Sequence, residues 1–172
     1  MMSTSYAQPE PCGATVQDIS GFAERIGAVL KFQPGADLEP VVSRLNGTIE
    51  YLLLDERDSK KASITVEKGG KFTIRLSAAI FPLQKRFSIA HELGHLFLHS
   101  RYGEVALEAF HDDERENEQA ESEAHEFACA FLMPAKIVNR AAKAFGNDSL
   151  KAAAYFMVPE PIARQRMSDV SC

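Results

Sequence analysis

His91-Glu92-Leu93-Gly94-His95 sets two imidazoles and a carboxylate within little more than one helical turn of chain. If the segment is helical, side chains four apart stack on one face. His91 and His95 can then both offer a ring nitrogen to one ion at about 2.0–2.1 Å. Glu92 is rotated by about 100° from His91. It stands beside the ion rather than on it, where a carboxylate takes a proton from ion-bound water. Zinc in such a site lowers the pKa of its water from 15.7 to about 7. The expected chemistry is metal-assisted hydrolysis, with Glu92 as acid/base.

A hydrolytic zinc needs a third protein ligand and an open fourth position. The extended pattern H-E-x-x-H-x-x-G-x-x-H fails, because Leu98 holds its glycine position and Arg101 its third histidine position. His99 lies one turn beyond His95, too far along the axis to share the ion, and is expected to support a ligand or pack. His111 sits in an acidic loop and reads as a solvated residue. The better source is a second helix. Ala124, Phe127, Ala128 and Phe131 form an apolar stripe at helical spacing. Glu121, three before Ala124 and seven before Ala128, lies near that inward stripe, where a carboxylate needs a partner. It is the expected third ligand. Glu123, rotated by about 110° from the stripe, is the fallback; otherwise it joins Glu114, Glu116 and Glu126 on a solvated face. His125 shares the face of Glu121 and is placed to orient a ligand or polarise a substrate carbonyl. Arg101, Tyr102 and His111 are further candidates for stabilising an oxyanion.

The run Arg86-Phe-Ser-Ile-Ala-His-Glu-Leu-Gly-His-Leu-Phe-Leu-His99, followed by Glu121-x-x-Ala124-x-x-Phe127-Ala128 and Leu132-Met133-Pro134, resembles the ImmA/IrrE family of metallopeptidases. The resemblance spans roughly residues 47–167. It implies a gluzincin-like fold with His91, His95 and a glutamate of the second helix as ligands to one divalent ion, zinc being expected. It also implies Glu92 as catalytic acid/base. The implied substrates are helix-turn-helix repressors, cut to release stress-response or mobile-element genes. One position departs from the pattern: His125 stands where members usually resemble one another in carrying Asn or Asp.

The elements that position these residues are legible from periodicity. Pro82 suits a first helical turn, and Phe87, Ala90, Gly94, Phe97 and Leu98 recur at spacings of three and four, which predicts a helix over 82–100. Gly94 costs that helix about 1 kcal/mol relative to alanine, so close approach of another backbone is expected there. Ile19, Phe22, Ile26 and Val29 predict a helix over 15–31. Leu38, Val41, Val42 and Leu45 predict a short one closing over the core. Alternation at Ile49, Tyr51 and Leu53, at Ile64 and Val66, and at Phe72, Ile74 and Leu76 gives three strands. Lys68-Gly69-Gly70-Lys71 reads as a tight turn, so the sheet is at least partly antiparallel. Strand 71–77 is expected to border the cleft, where a free edge would hold an extended peptide. Helices are expected over 135–145, 149–157 and 161–168. They resemble a helix-turn-helix only in outline, and packing or partner docking is expected of them rather than nucleic-acid binding.

The expected fold class is α+β: a small three-stranded sheet on a zincin-like, gluzincin-type helical core with extra C-terminal helices. The chain has 172 residues with 45% hydrophobic content, enough for one core. Residues 1–14 read as a disordered tail. Residues 15–172 read as one metallopeptidase domain, divided into a metal-binding core over 15–134 and a helical part over 135–172. No apolar run approaches about 18 residues, and no signal pattern opens the chain, so no membrane association is expected. Cys12, Cys129 and Cys172 form no C-x-x-C spacing and fit a reducing cytoplasm. Net charge is −5, unevenly spread: ten acids face one base between Glu104 and Glu126, whereas six bases face three acids after Met133. The acidic stretch reads as a solvated loop. Two classes of function fit these residues. One is a zinc endopeptidase with a helix-turn-helix repressor as substrate; the other is a regulatory module that sequesters a protein partner around a structural or degenerate metal site.

Overall fold

A computed structural model describes residues 4–53, 62–110 and 117–171. Helix α1 (Val16–Val29) is started by Thr15, whose hydroxyl accepts from the Asp18 amide while the Asp18 carboxylate accepts from the Thr15 amide. It turns Ile19, Ala23 and Gly27 inward. Helix α2 (Glu39–Arg44) carries the expected lid, with Leu38, Val41, Val42 and Leu45 all buried.

The class is α+β, but the sheet has four strands, not three. These are β1 (Gly47–Leu52), β2 (Ser63–Val66), β3 (Phe72–Ser77) and β4 (Leu107–Phe110), in the order β1-β3-β2-β4. Strand β2 runs antiparallel to β3 and β4, and β1 runs parallel to β3. β4 is only four residues long, too short for alternation to announce it. Ile64, Val66, Phe72, Ile74, Leu76, Leu107 and Ala109 line the buried face, as a sheet covered on one side requires. β1 departs from expectation, since only Ile49 of its apolar set packs on the core while Tyr51 and Leu53 are exposed. The expectation for β3 is corrected as well. It is hydrogen-bonded on both sides and has no edge to offer a peptide.

The β2–β3 turn is the expected one. Glu67 and Lys71 pair across it, and Gly69 and Gly70 take φ of 94° and 91°, conformations that favour glycine. Gly103 is pressed so close that a Cβ there would lie 2.2 Å from the Gly70 nitrogen. The end of the long helix is thereby fastened to the hairpin.

That helix, α3 (Pro82–Gly94), starts with Pro82 in its first turn and continues into a π-helical turn over His95–His99. The Ser100 amide reaches back five residues to the His95 carbonyl at 3.0 Å. Such widened turns are rare and frequently mark functional sites. Helix α4 (Glu118–Leu132) follows β4 and is capped by Asn117, whose side chain accepts from the amides of Gln119 and Ala120. It buries Ala124, Phe127, Ala128 and Phe131. Phe97 of the π-turn stacks on Phe127 with centroids 5.8 Å apart, Phe127 on Phe131 at 5.9 Å, and Phe22 of α1 meets Phe97 edge-on at 6.4 Å. Each such pair adds about 0.5–1.5 kcal/mol beyond its buried area. Helices α5 (Ala135–Phe145), α6 (Ser149–Phe156) and α7 (Glu160–Val170) complete the described chain. Arg166 of α7, 5% exposed, donates to the Met133 carbonyl and faces Glu24 and Glu126. Glu126 is therefore not on a solvated face, as its sequence position predicts, but ties α4 to α7. His111, Glu114 and Glu116 lie outside the described residues.

The segment for which composition predicts disorder, 1–14, is described from residue 4. Ala7 lies beside Leu107 as a parallel bridge on the outer edge of β4, donating to Ala106 and accepting from Glu108 at 2.8 and 2.9 Å. Among the described residues no helix is long and apolar enough to cross a membrane.

Helices α3 and α4 approach closely at Gly94. A Cβ there would lie 2.9 Å from the Ala124 Cα and 3.0 Å from its carbonyl oxygen, which justifies the glycine as its spacing predicts. Gly94→Val is expected to wedge α3 from α4 and lower unfolding free energy by about 1–3 kcal/mol. A urea melt of the metal-free protein checks this; an unchanged midpoint would show that the two backbones can part without cost.

Candidate metal centre

The close approach of α3 and α4 brings three donors together. The His91 Nε2 lies 2.8 Å from one oxygen of Glu121, and the His95 Nε2 lies 3.1 Å from the other. One ligand atom from each residue falls within 4.8 Å of the others. Atoms about 2.0–2.2 Å from one ion at tetrahedral angles are about 3.3–3.5 Å apart, so these side chains need only small adjustments to share one. Two imidazoles and a carboxylate also suit zinc or a similar divalent metal. The residues present fit such an ion, and His91, His95 and Glu121 could hold it. Glu92 is fully buried on α3 and is not one of the three.

Burial around the group is uneven. His95 is sealed, with 0% of its side chain exposed, whereas His91 and Glu121 keep 15% and 16%. The group therefore opens to solvent on the His91–Glu121 side. A structural zinc is closed by four protein ligands; a hydrolytic one keeps a position for water and substrate.

Glu123, the fallback ligand, is not brought to the histidine pair. It is 5% exposed, so it is not a solvated residue either. Its carboxylate accepts from the ring of His99 at 3.0 Å and from the backbone amides of Cys12 and Gly13 at 2.8 and 3.1 Å. Burial alone would raise its pKa; the Cys12 amide, His99 and Gly13 outweigh this and hold it below the usual carboxylate range. His99 in turn meets His95, Nδ1 to Nδ1, at 2.9 Å. It is not one of the three grouped donors. Burial, with His95 beside it, lowers the His99 pKa to about 4. Sequence reasoning missed the role of Glu123 because helical phase places it away from the inward stripe of α4. That stripe packs on α1, α3 and Phe97 of the π-turn, while Glu123 meets His99 and the N-terminal segment.

His125 is exposed and packs edge-on against Phe87 with centroids 5.2 Å apart. Packing on Phe87 withdraws part of the ring from water, and this desolvation, then the proximity of His91, lower its pKa. Tyr102 is committed elsewhere, donating to the Leu45 carbonyl at 2.8 Å and stacking on Phe97. Arg101 pairs with Glu104 on the surface. Of the four oxyanion candidates, only His125 stands beside the centre among the described residues.

Two histidines from one helix and a glutamate from the next, open to solvent and next to a buried glutamate, define a candidate metallohydrolase site. The family model of the Peptidase M78 family, the IrrE N-terminal-like domain, matches residues 42–168, and the chain belongs to that family. A solved structure described as a Mycobacterium tuberculosis transcriptional regulator has a similar fold, with a TM-score of 0.63 at 22% sequence identity. The match covers 88% of this chain and 47% of that one, so this chain spans about half of that relative's length. Comparison with curated proteins gives no match.

The low pKa of His99 fixes a pH dependence for the metal-free protein. The unfolded chain holds a proton on this ring below about 6.5, while the folded chain takes it up only near pH 4. The neutral ring's contribution is complete above about pH 6.5 and is lost as pH falls toward 4, up to about 3 kcal/mol. Urea titrations from pH 7.5 to 4.5 are expected to show a shallower decline in His99→Phe than in the unmodified protein; parallel curves would place the lost stability on other groups.

Proposed function

We propose that the chain is a zinc-dependent endopeptidase, built as one unit over residues 15–172 on a zincin-like core of the gluzincin type. It acts on a helix-turn-helix transcriptional repressor. The observation that carries this reading is the convergence of His91, His95 and Glu121 on a solvent-open point, with Glu92 one residue along the same helix. Family membership supports peptide hydrolysis. A regulatory protein as substrate is supported by the family, and by a structural relative that is itself described as a transcriptional regulator.

His91, His95 and Glu121 would hold a divalent ion, whose Lewis acidity would polarise a peptide carbonyl and acidify water. Glu92 takes a proton from the attacking water as its oxygen bonds to the carbonyl carbon. It returns that proton to the amine nitrogen as the C–N bond breaks. His125, beside His91 at the exposed side, donates an N–H to the carbonyl oxygen as negative charge develops there. Its lowered pKa keeps the ring neutral near pH 7, and a neutral imidazole still carries one donor.

Zinc-loaded protein is to be incubated with helix-turn-helix repressors from the same genome and the products read by mass spectrometry. One defined cleavage is expected. Glu92→Gln is expected to keep its zinc and lose about 10²- to 10⁴-fold in rate, and Glu121→Ala to lose most of its zinc. Retained cleavage by zinc-loaded Glu92→Gln would remove the mechanism. A stable complex with an uncleaved repressor, unaffected by Glu92→Gln, would make the chain a sequestering module instead.

A further inference from the structure

His95 is the most deeply buried of the three donors, and its second ring nitrogen leads away from the centre through an unbroken hydrogen-bonded path. Its Nδ1 meets the His99 Nδ1 at 2.9 Å, the His99 Nε2 meets Glu123 at 3.0 Å, and Glu123 accepts from the amides of Cys12 and Gly13. We propose that His99, Glu123 and the N-terminal segment from Ala7 to Thr15 form a positioning relay that fixes the tautomer and orientation of His95 for metal binding. The relay rests on the metal-centre reading above.

The His95 Nε2 is the atom turned toward Glu121, so it is the atom that binds an ion. A neutral imidazole ligating through Nε2 carries its proton on Nδ1. That N–H needs an acceptor in a buried place, and the His99 Nδ1 faces it at 2.9 Å. His99 can accept there only if its own proton sits on Nε2, which points at Glu123. A carboxylate has no proton to give and accepts this one. Each link thus has one allowed direction, from His95 to His99 to Glu123. Without the carboxylate, His99 is released to the other tautomer, and two N–H groups collide at 2.9 Å. His95 then has to move its proton to Nε2, the position an ion needs.

The N-terminal segment holds the far end. Two consecutive amides converge on Glu123, and Gly13 takes φ of 71° to present its own. The segment is tethered upstream where Ala7 pairs with β4 and downstream where Thr15 caps α1. Partners that fix a metal-ligating histidine through its other nitrogen are commonly worth about 10- to 100-fold in metal affinity. By thermodynamic reciprocity, zinc should hold the segment down as firmly as the segment favours zinc.

The test measures zinc affinity by chelator competition, and the visible absorption of the cobalt-substituted protein, in the unmodified full chain and in His99→Phe, Glu123→Ala and Cys12→Pro. His99→Phe and Glu123→Ala are expected to bind zinc about 10- to 100-fold more weakly, with altered cobalt bands reporting a displaced ligand. Cys12→Pro deletes one amide donor at an exposed residue outside the core and is expected to weaken binding in the same direction, by less. If the buried substitutions fail to fold, Cys12→Pro decides, and zinc affinity and cobalt bands equal to the unmodified protein overturn the proposal. Unchanged affinity in folded Glu123→Ala overturns it too, while leaving the three-ligand centre intact. Failure of the unmodified chain to take up zinc at all would instead defeat the metal-centre reading, and the relay with it.

Discussion

The backbone-to-backbone contact between α3 and α4 governs the site. At Gly94 the two helices approach so closely that a methyl group would overlap the main chain of Ala124. That contact lies one residue before His95 on one helix and three residues after Glu121 on the other, so it sets the distance between imidazoles and carboxylate. Ordinary interhelical separations are about 8–10 Å, and a bulkier residue at the contact would hold Glu121 back. The helical cost of glycine, about 1 kcal/mol, is offset by the packing it permits, with the Phe22, Phe97, Phe127 and Phe131 rings closing the interface beyond it.

Around that contact the fold grades burial in a way that suits a reactive centre. His95 is fully buried, while His91 and Glu121 stay partly exposed. One side of the donor group is thus held rigidly and the other is accessible. The π-turn over His95–His99 carries the candidate ligand His95 and its partner His99 on one widened turn, with ring centroids 5.0 Å apart. Its end is clamped where Gly103 lies on the β2–β3 turn. Sheet, hairpin and metal helix are therefore one mechanical unit rather than a sheet merely placed nearby.

Charge is arranged with equal economy. The buried Glu123 is held ionised by backbone amides and His99 rather than by a lysine or arginine. No fixed positive charge needs to be buried beside the centre for its sake. The buried Arg166 stands between Glu24 and Glu126, fastening α7 to α1 and α4. Apart from Glu123 as a fallback ligand, sequence places Glu123 and Glu126 alike on a solvated face, since both lie outside the apolar stripe of one helix. What distinguishes them is the element each meets.

The amino-acid sequence alone determined whatever a short stretch of chain can encode. The i, i+4 spacing of His91 and His95 fixes their common face, the inward stripe of α4 carries Glu121 with it, Gly94 announces a close neighbour, and Lys68-Gly69-Gly70-Lys71 specifies its turn. These features depend on helical phase or local backbone preference, which a few residues set by themselves. Tertiary structure decided the rest. β4 is too short to show a period, and its existence depends on pairing with β2. β3 became interior because β1 joined its other side, a choice made by residues far away in sequence. Glu123 acquired its amide donors only when the N-terminal segment reached α4, and His99 met Glu123 only when α4 packed on the π-turn. Periodicity tells which way a side chain points, but what stands there is fixed by the packing of distant segments, whose mutual approach no local pattern records.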